Sequence, residues 1–252
     1  MNVVTRSRTV AAARNNASWC DAVCCAHGIP GELRSSVWLH RGVPPPYYSN
    51  LVVVADVPDP TEILAHVQEL IRQLGRAGWS IKDSFSSLDL GALGFRLLFE
   101  ASWIWLDPRS ARPGPRPASR DIRWSRVSSP AELAWWEAAW SGDDRNPEAA
   151  GKPAQFPPAL LADPDIAFFS AHEDRDIVGG GIANRADGIV GLSNVFTGAA
   201  DPQEIWSGLS AIAGAAFPGL PLAGYERGAS LGVAASCDFM PIGPLRVWVR
   251  DS

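Results

Sequence analysis

Apolar positions fall into two rhythms along this chain, a helical one and a strand-like one. Near the start, Trp19, Cys20, Val23, Cys24 and His27 make one helical stripe, and Gly28 and Pro30 end it. Asp59 opens a second helical run to Leu74, followed by strand-like runs over Gly78–Phe85 and Arg96–Leu106. Ser129, Pro130 and Glu132 spell a capping box with Pro in the first turn, which predicts a helix to about Trp140. From Ile166 to Phe196 the pattern predicts three antiparallel strands, turned at Glu173–Asp176 and at Ala186-Asp187-Gly188. Asp201 then caps a helix whose apolar positions are Ile205, Leu209, Ile212 and Ala216. A strand over Leu220–Glu226, a helix over about Ala229–Cys237 and a strand over Ile242–Arg250 complete the order.

Two stretches repeat one device. "YYSNLVVVADVPDPTEI" (Tyr47–Ile63) and "GLSNVFTGAADPQEIW" (Gly191–Trp206) each write Ser-Asn, a hydrophobic run and Asp-Pro-x-Glu. The last element alone is a generic helix start, as Ser129-Pro130-Ala131-Glu132 shows. The ordered spacing is the stronger signal, because Gly94-Phe95 falls where Asp238-Phe239 falls in the second stretch. The reading is an α/β protein of two mixed α/β units, each a mainly antiparallel sheet flanked by helices. Residues 1–110 form the first unit, shortened at its N-terminal end, and 122–252 form the second. Between them, 111–121 belongs to the Pro-, Arg- and Ser-rich stretch "DPRSARPGPRPASRD", whose composition predicts an extended connection. A second irregular stretch, Ser141–Pro158, is long for a passive loop.

A net charge of -5 over 252 residues argues against a nucleic-acid partner, which calls for a basic patch. No run is apolar and long enough for a membrane span, and Arg6, Arg8 and Arg14 interrupt the segment where a signal peptide has its apolar centre. A soluble cytoplasmic protein is expected. Cys20, Cys24 and His27 share one helix face, but three ligands from one straight helix do not match zinc spacings, so they read as core with reduced thiols.

The order helix, three-stranded meander, helix, strand, helix, strand, with "IVGGGIANRADGIVGLSNVF" and "PLAGYERGASLGVAASCDFMPIGPLRVWV" in it, resembles the GNAT acyltransferase superfamily over about Ile122–Arg250. The resemblance implies acyl transfer from acetyl-CoA or another acyl-CoA to an amine of a small molecule or a protein. It implies that the strand Ile189–Thr197 splays from its neighbour and offers the backbone of Val195, Phe196 and Thr197 to the pantetheine, with Gly198, Ala199 and Ala200 near the phosphates. It also points to Tyr225 and Glu226, at the end of the penultimate strand, as proton donor and acceptor. The sequence departs from the family at the phosphate loop. "TGAADPQEIWSG" holds no Arg or Lys, and Asp201 and Glu204 put negative charge at the helix start. The alternative is a non-catalytic relative that binds a ligand or a protein partner.

Other residues receive plainer readings. Lys82 and Asp83, at the matching place in the first unit, read as an internal ion pair, and His172 as a solvated turn histidine. Trp136 and Trp140 share a helix face while Trp135 points elsewhere, so at least one of the three is expected to be only partly buried. Gly179–Asn184 reads as a strand that allows close backbone approach, without the following helix of a phosphate loop.

Overall fold

The computed structural model describes residues 3–56, 59–74, 78–108, 121–142 and 154–250. The expected connection at 111–121, except Asp121, and the middle of the 141–158 stretch lie outside them. The described strands are β1 (Glu32–Leu33), β2 (Val37–Leu39), β3 (Leu51–Val53), β4 (Trp79–Asp83), β5 (Arg96–Leu106), β6 (Arg123–Arg126), β7 (Ile166–Glu173), β8 (Asp176–Ala186), β9 (Ile189–Thr197), β10 (Leu222–Glu226) and β11 (Met240–Arg250). The helices are α1 (Val3–Ala26), α2 (Thr61–Leu74), α3 (Pro130–Ser141), α4 (Pro202–Ala216) and α5 (Gly228–Ser236). All the strands join one mixed sheet, in the order β1-β2-β3-β4-β11-β5-β10-β9-β8-β7-β6. Only β3 with β4 and β9 with β10 run parallel.

The centre of the sheet is an exchange. β5 pairs with β10 and β11 pairs with β4, so the last strand of each half leaves its own half and lies beside the other's. Between them, β5 and β11 pair in a register that is symmetric about Ala101 opposite Leu245. Its two register shifts match, one skipping Ile242 of β11 and the other Leu98 of β5, each three residues before that central pair. The symmetry extends to the turns before these strands, where Gly94 (φ 81°) and Asp238 (φ 68°) both take left-handed backbone and are followed by buried Phe95 and Phe239. Asp59 and Asp201 correspond as well. Each carboxylate accepts the backbone N–H two residues on, from Thr61 at 2.9 Å and from Gln203 at 2.8 Å.

Ser-Asn does not correspond. Ser49-Asn50 precedes β3, where Asn50 Nδ2 donates to Gly42 O at 2.9 Å, whereas Asn194 lies inside β9 with φ 53°. A hydrophilic dipeptide before a hydrophobic run looks alike in sequence whether it enters a strand or kinks one.

The two faces of the sheet are covered differently. On one, Ile63, Val67 and Leu70 of α2 pack on Val37, Leu39, Leu51 and Ile81, and Leu209 and Ala213 of α4 pack on Phe169, Ala183 and Leu222. The other face carries α3 and the long α1. Ala12, Ala13 and Ala17 let α1 lie close, Asn15 Nδ2 donates to Asn184 O at 3.0 Å, and Asn184 Nδ2 returns a bond to Asn15 O at 3.3 Å. The glycines of β8 serve both faces. A Cβ on Gly179 or Gly181 would stand 2.5 Å from Ile205 or Leu209 of α4, and one on Gly180 would stand 2.9 Å from Trp136 Nε1 of α3. Ser129 and Glu132 complete the expected capping box on α3, Trp136 is fully buried and Trp135 half exposed.

Candidate functional site

β9 and β10 pair only at Val190 with Leu222 and Gly191 with Ala223, then part. Two local features force the parting. A bulge shifts β9 against β8 between Gly180 and Ile182, with Asn194 in left-handed backbone, which bends the strand. At the fork, a Cβ on Gly224 would stand 2.9 Å from Leu192 O, so glycine is needed to bring the strands together before they diverge. The opening is a pocket of about 270 Å³, lined by Ser193, Asn194 and Val195 on one side and Tyr225, Glu226 and Arg227 on the other. Asn16, Trp19 and Cys20 of α1 close it, together with Tyr47, Tyr48, Phe99 and Lys82. Adjacent residues of a strand point to opposite faces, and the fork lets both Tyr225 and Glu226 reach one pocket.

Burial pushes the Glu226 carboxyl up to about 7, against the opposing pull of the Arg227 backbone N–H and guanidinium. A carboxyl poised there is half ionised at neutral pH and accepts a proton readily. Trp103 holds Tyr225 edge-on at 5.5 Å. Lys82 Nζ lies 4.6 Å from the centre of the Tyr225 ring and donates to Asn16 Oδ1 at 2.6 Å and, at a longer 3.4 Å, to Tyr225 Oη. Burial disfavours the Lys82 charge, Tyr225 and Cys20 offset that, and the net shift is upward. Because Lys82 donates to the phenol oxygen, the Tyr225 O–H is left to donate elsewhere.

Lys82 and Asp83 are therefore not an ion pair. Neighbours in β4, they point to opposite faces, and Asp83 instead accepts backbone N–H groups of Phe85 at 3.4 Å, Ser87 at 3.1 Å and Leu88 at 2.9 Å. Strand alternation was the signal in the sequence that excluded the pair. Lys82, Asn16 and Cys20 come from the first half of the chain, and sequence reasoning missed their place in this site.

The residues expected around an acyl-CoA separate. Val195 lines the pocket, but Phe196 packs edge-on against Trp136 at 5.3 Å. Thr197 is exposed and still paired, opposite Gly179. Gly198 spends its N–H on Val178 O at 2.8 Å, Ala199 is exposed and Ala200 is buried beside Ile205. At the start of α4, Asp201 takes the Gln203 N–H, Pro202 has no N–H, and Glu204 stands in the first turn. The backbone donors and positive end that hold a diphosphate are thus occupied by a carboxylate, and these residues do not fit the diphosphate of coenzyme A.

Elsewhere, His172 is half-buried rather than solvated: its Nε2 meets Ser170 Oγ at 2.9 Å and Ser125 Oγ at 3.3 Å in a groove walled by Trp135. Cys20 and Cys24 are buried, and burial pushes the Cys24 thiol up to about 12. Among the described residues no helix is long and apolar enough to cross a membrane.

No protein-family model matches the chain, and no curated protein matches it in sequence. Solved structures do. A GCN5-related N-acetyltransferase from Kribbella flavida is similar over 96% of both chains, with TM-score 0.65 and 15% identity. A conserved protein of unknown function from Staphylococcus epidermidis ATCC 12228 is similar over 88% of this chain and 93% of its own, with TM-score 0.62 and 14% identity. The chain has the GNAT fold, a mixed sheet flanked by helices. A tandem GNAT protein from the clavulanic acid biosynthesis pathway also matches, over 85% of this chain and 78% of its own, with TM-score 0.56 and 14% identity.

Proposed function

We propose that this chain is an N-acyltransferase of two GNAT-like units, divided at residues 111–121, with its chemistry at the fork between β9 and β10. The observation that supports this best is the carboxyl of Glu226, raised to about 7, sharing one pocket with Tyr225. An amine attacking an activated acyl carbonyl must lose a proton, and the departing group must gain one. Glu226 accepts the first, and Tyr225 Oη supplies the second, replenished from solvent. Lys82 and Trp103 fix the phenol so that its proton is directed away from the ammonium. The closed start of α4 means that the acyl donor is not gripped by a diphosphate there, so a donor lacking one serves equally.

A second reading, a non-catalytic ligand-binding protein, is favoured by that same carboxylate cap on α4. One assay separates the two. Wild type, Glu226→Gln and Tyr225→Phe are given acetyl-CoA or acetyl-pantetheine with a panel of amines. The proposal expects transfer by wild type from both donors at similar kcat/KM, with a loss of ~100- to 10,000-fold on removing either proton-transfer group. Absence of transfer from either donor would establish the binding-protein reading instead.

A further inference from the structure

Lys82 is 6% exposed and lines the fork pocket, and a buried ammonium is normally matched by a carboxylate. Among the described residues its partners are Asn16 Oδ1, Tyr225 Oη at the longer distance and the face of the Tyr225 ring, all uncharged. A lysine has three N–H donors, so one has no acceptor among the described residues. Asp83, the nearest acid along the chain, is turned to the other face and spent on backbone N–H groups. Asn16 is committed to Lys82 from α1, which holds the ammonium in place against the pocket rather than letting it extend to solvent. At about 270 Å³ the pocket lies below the size of sites for drug-sized ligands and suits a small metabolite.

From these observations we infer that the pocket takes a small amine that also carries a carboxylate, such as an amino acid, with its carboxylate on Lys82 and its amine toward Glu226. Tyr225 Oη meets Lys82, and Glu226 lines the same pocket, so both charged ends face one cavity. The ammonium of Lys82 then has its anionic partner. This rests on the acyltransferase reading for the role of the amine, but the anion site stands on Lys82 and is tested by binding alone.

Calorimetric titration of the full chain compares β-alanine, γ-aminobutyrate and the common L-amino acids with matched amines that lack the carboxylate. The expected result is that at least one carboxylate-bearing amine binds and that its carboxylate-free counterpart binds roughly 10- to 100-fold more weakly, the range of a buried charge-assisted hydrogen bond. In Lys82→Met the difference between the paired ligands disappears, and in Lys82→Arg part of it returns. Equal binding of paired ligands to wild type, binding by none of the panel, or an undiminished preference in Lys82→Met would overturn the inference. If Lys82→Met does not fold, the paired comparison on wild type still decides. A preference for carboxylates in a protein that transfers no acyl group would retain the anion site and reject the transferase.

Discussion

β4 and β10 occupy matching places on either side of the central exchange, and each ends in a side chain on the α1 face followed by an acid: Lys82-Asp83 in one, Tyr225-Glu226 in the other. The two acids differ in what surrounds them. Asp83 closes a tight turn, accepting three backbone N–H groups and approaching the Ser87 hydroxyl at 3.5 Å. Glu226 stands at an open fork, and only the Arg227 backbone and guanidinium oppose its burial. Burial raises both carboxyls, but backbone N–H groups oppose it at Asp83, where the chain turns back at once, while at Glu226 a bulge parts the strands and leaves the acid facing a pocket. The other members of the pairs, Lys82 and Tyr225, meet over the centre of the sheet, so the open half borrows a cation from the closed half.

Separating the halves is expected to have the largest effect. Without residues 1–120, β10 and β11 lose the strand between them, together with the buried Trp103 and Trp105 and the helix α1. Residues 121–252 expressed alone are predicted to show no cooperative thermal unfolding by circular dichroism. A sharp transition from that fragment would show that the exchange is dispensable and that each half is a domain in its own right.

Next comes the contrast between the acids. Glu226→Gln is predicted to reduce turnover by ~100- to 10,000-fold while the protein stays folded. Asp83→Asn is predicted to do the reverse: turnover per folded molecule is retained, and denaturant titration shows a loss of about 1–3 kcal/mol because buried N–H groups lose a charged acceptor. Similar losses of turnover in both variants would erase the distinction.

Stability against pH sharpens it further. Glu226 has its pKa raised on folding, from an ordinary carboxylate value to about 7, so the folded state holds this proton where the unfolded chain has released it. Folding stability attributable to Glu226 is therefore full below about pH 4 and falls as pH rises to about 7, after which it is constant. The difference in stability between Glu226→Gln and wild type should grow in favour of the variant over that window, by about 3–4 kcal/mol. A difference that stays flat with pH would mean that Glu226 is not desolvated.

The smallest effect concerns α4. Asp201→Asn with Glu204→Gln removes two carboxylates from the helix start and should tighten coenzyme A binding roughly severalfold in calorimetry, at 0.3–1 kcal/mol each by rough estimate. Tight binding by wild type with no gain in the variant would place the diphosphate elsewhere on the protein.

Much of the frame was legible in the sequence because periodicity and caps are local. Ser129-Pro130-Ala131-Glu132 becomes a capped helix, and Asp201-Pro202 starts α4 as expected. The short strands β1, β2 and β6 were not, since Glu32–Leu33 and Val37–Leu39 are too brief to show alternation and Arg123–Arg126 is an exposed edge. The exchange of β5 and β11 was hidden as well, because pairing between distant strands leaves no trace in the spacing of either. For the site, the resemblance pointed to Tyr225 and Glu226 at a strand end, and both line the fork pocket. Lys82 was assigned to its sequence neighbour, and only the register that brings β4 and β10 to either side of the exchanged strands reveals its contact with Tyr225.

The central claim is that the fork leaves Glu226 as a proton acceptor poised near neutrality. It is tested most directly by following the side-chain carboxyl carbon of Glu226 by NMR as pH is varied, with Glu226→Gln identifying the resonance. The account predicts a midpoint near 7. A midpoint near the ordinary glutamate value of about 4.3 would contradict it.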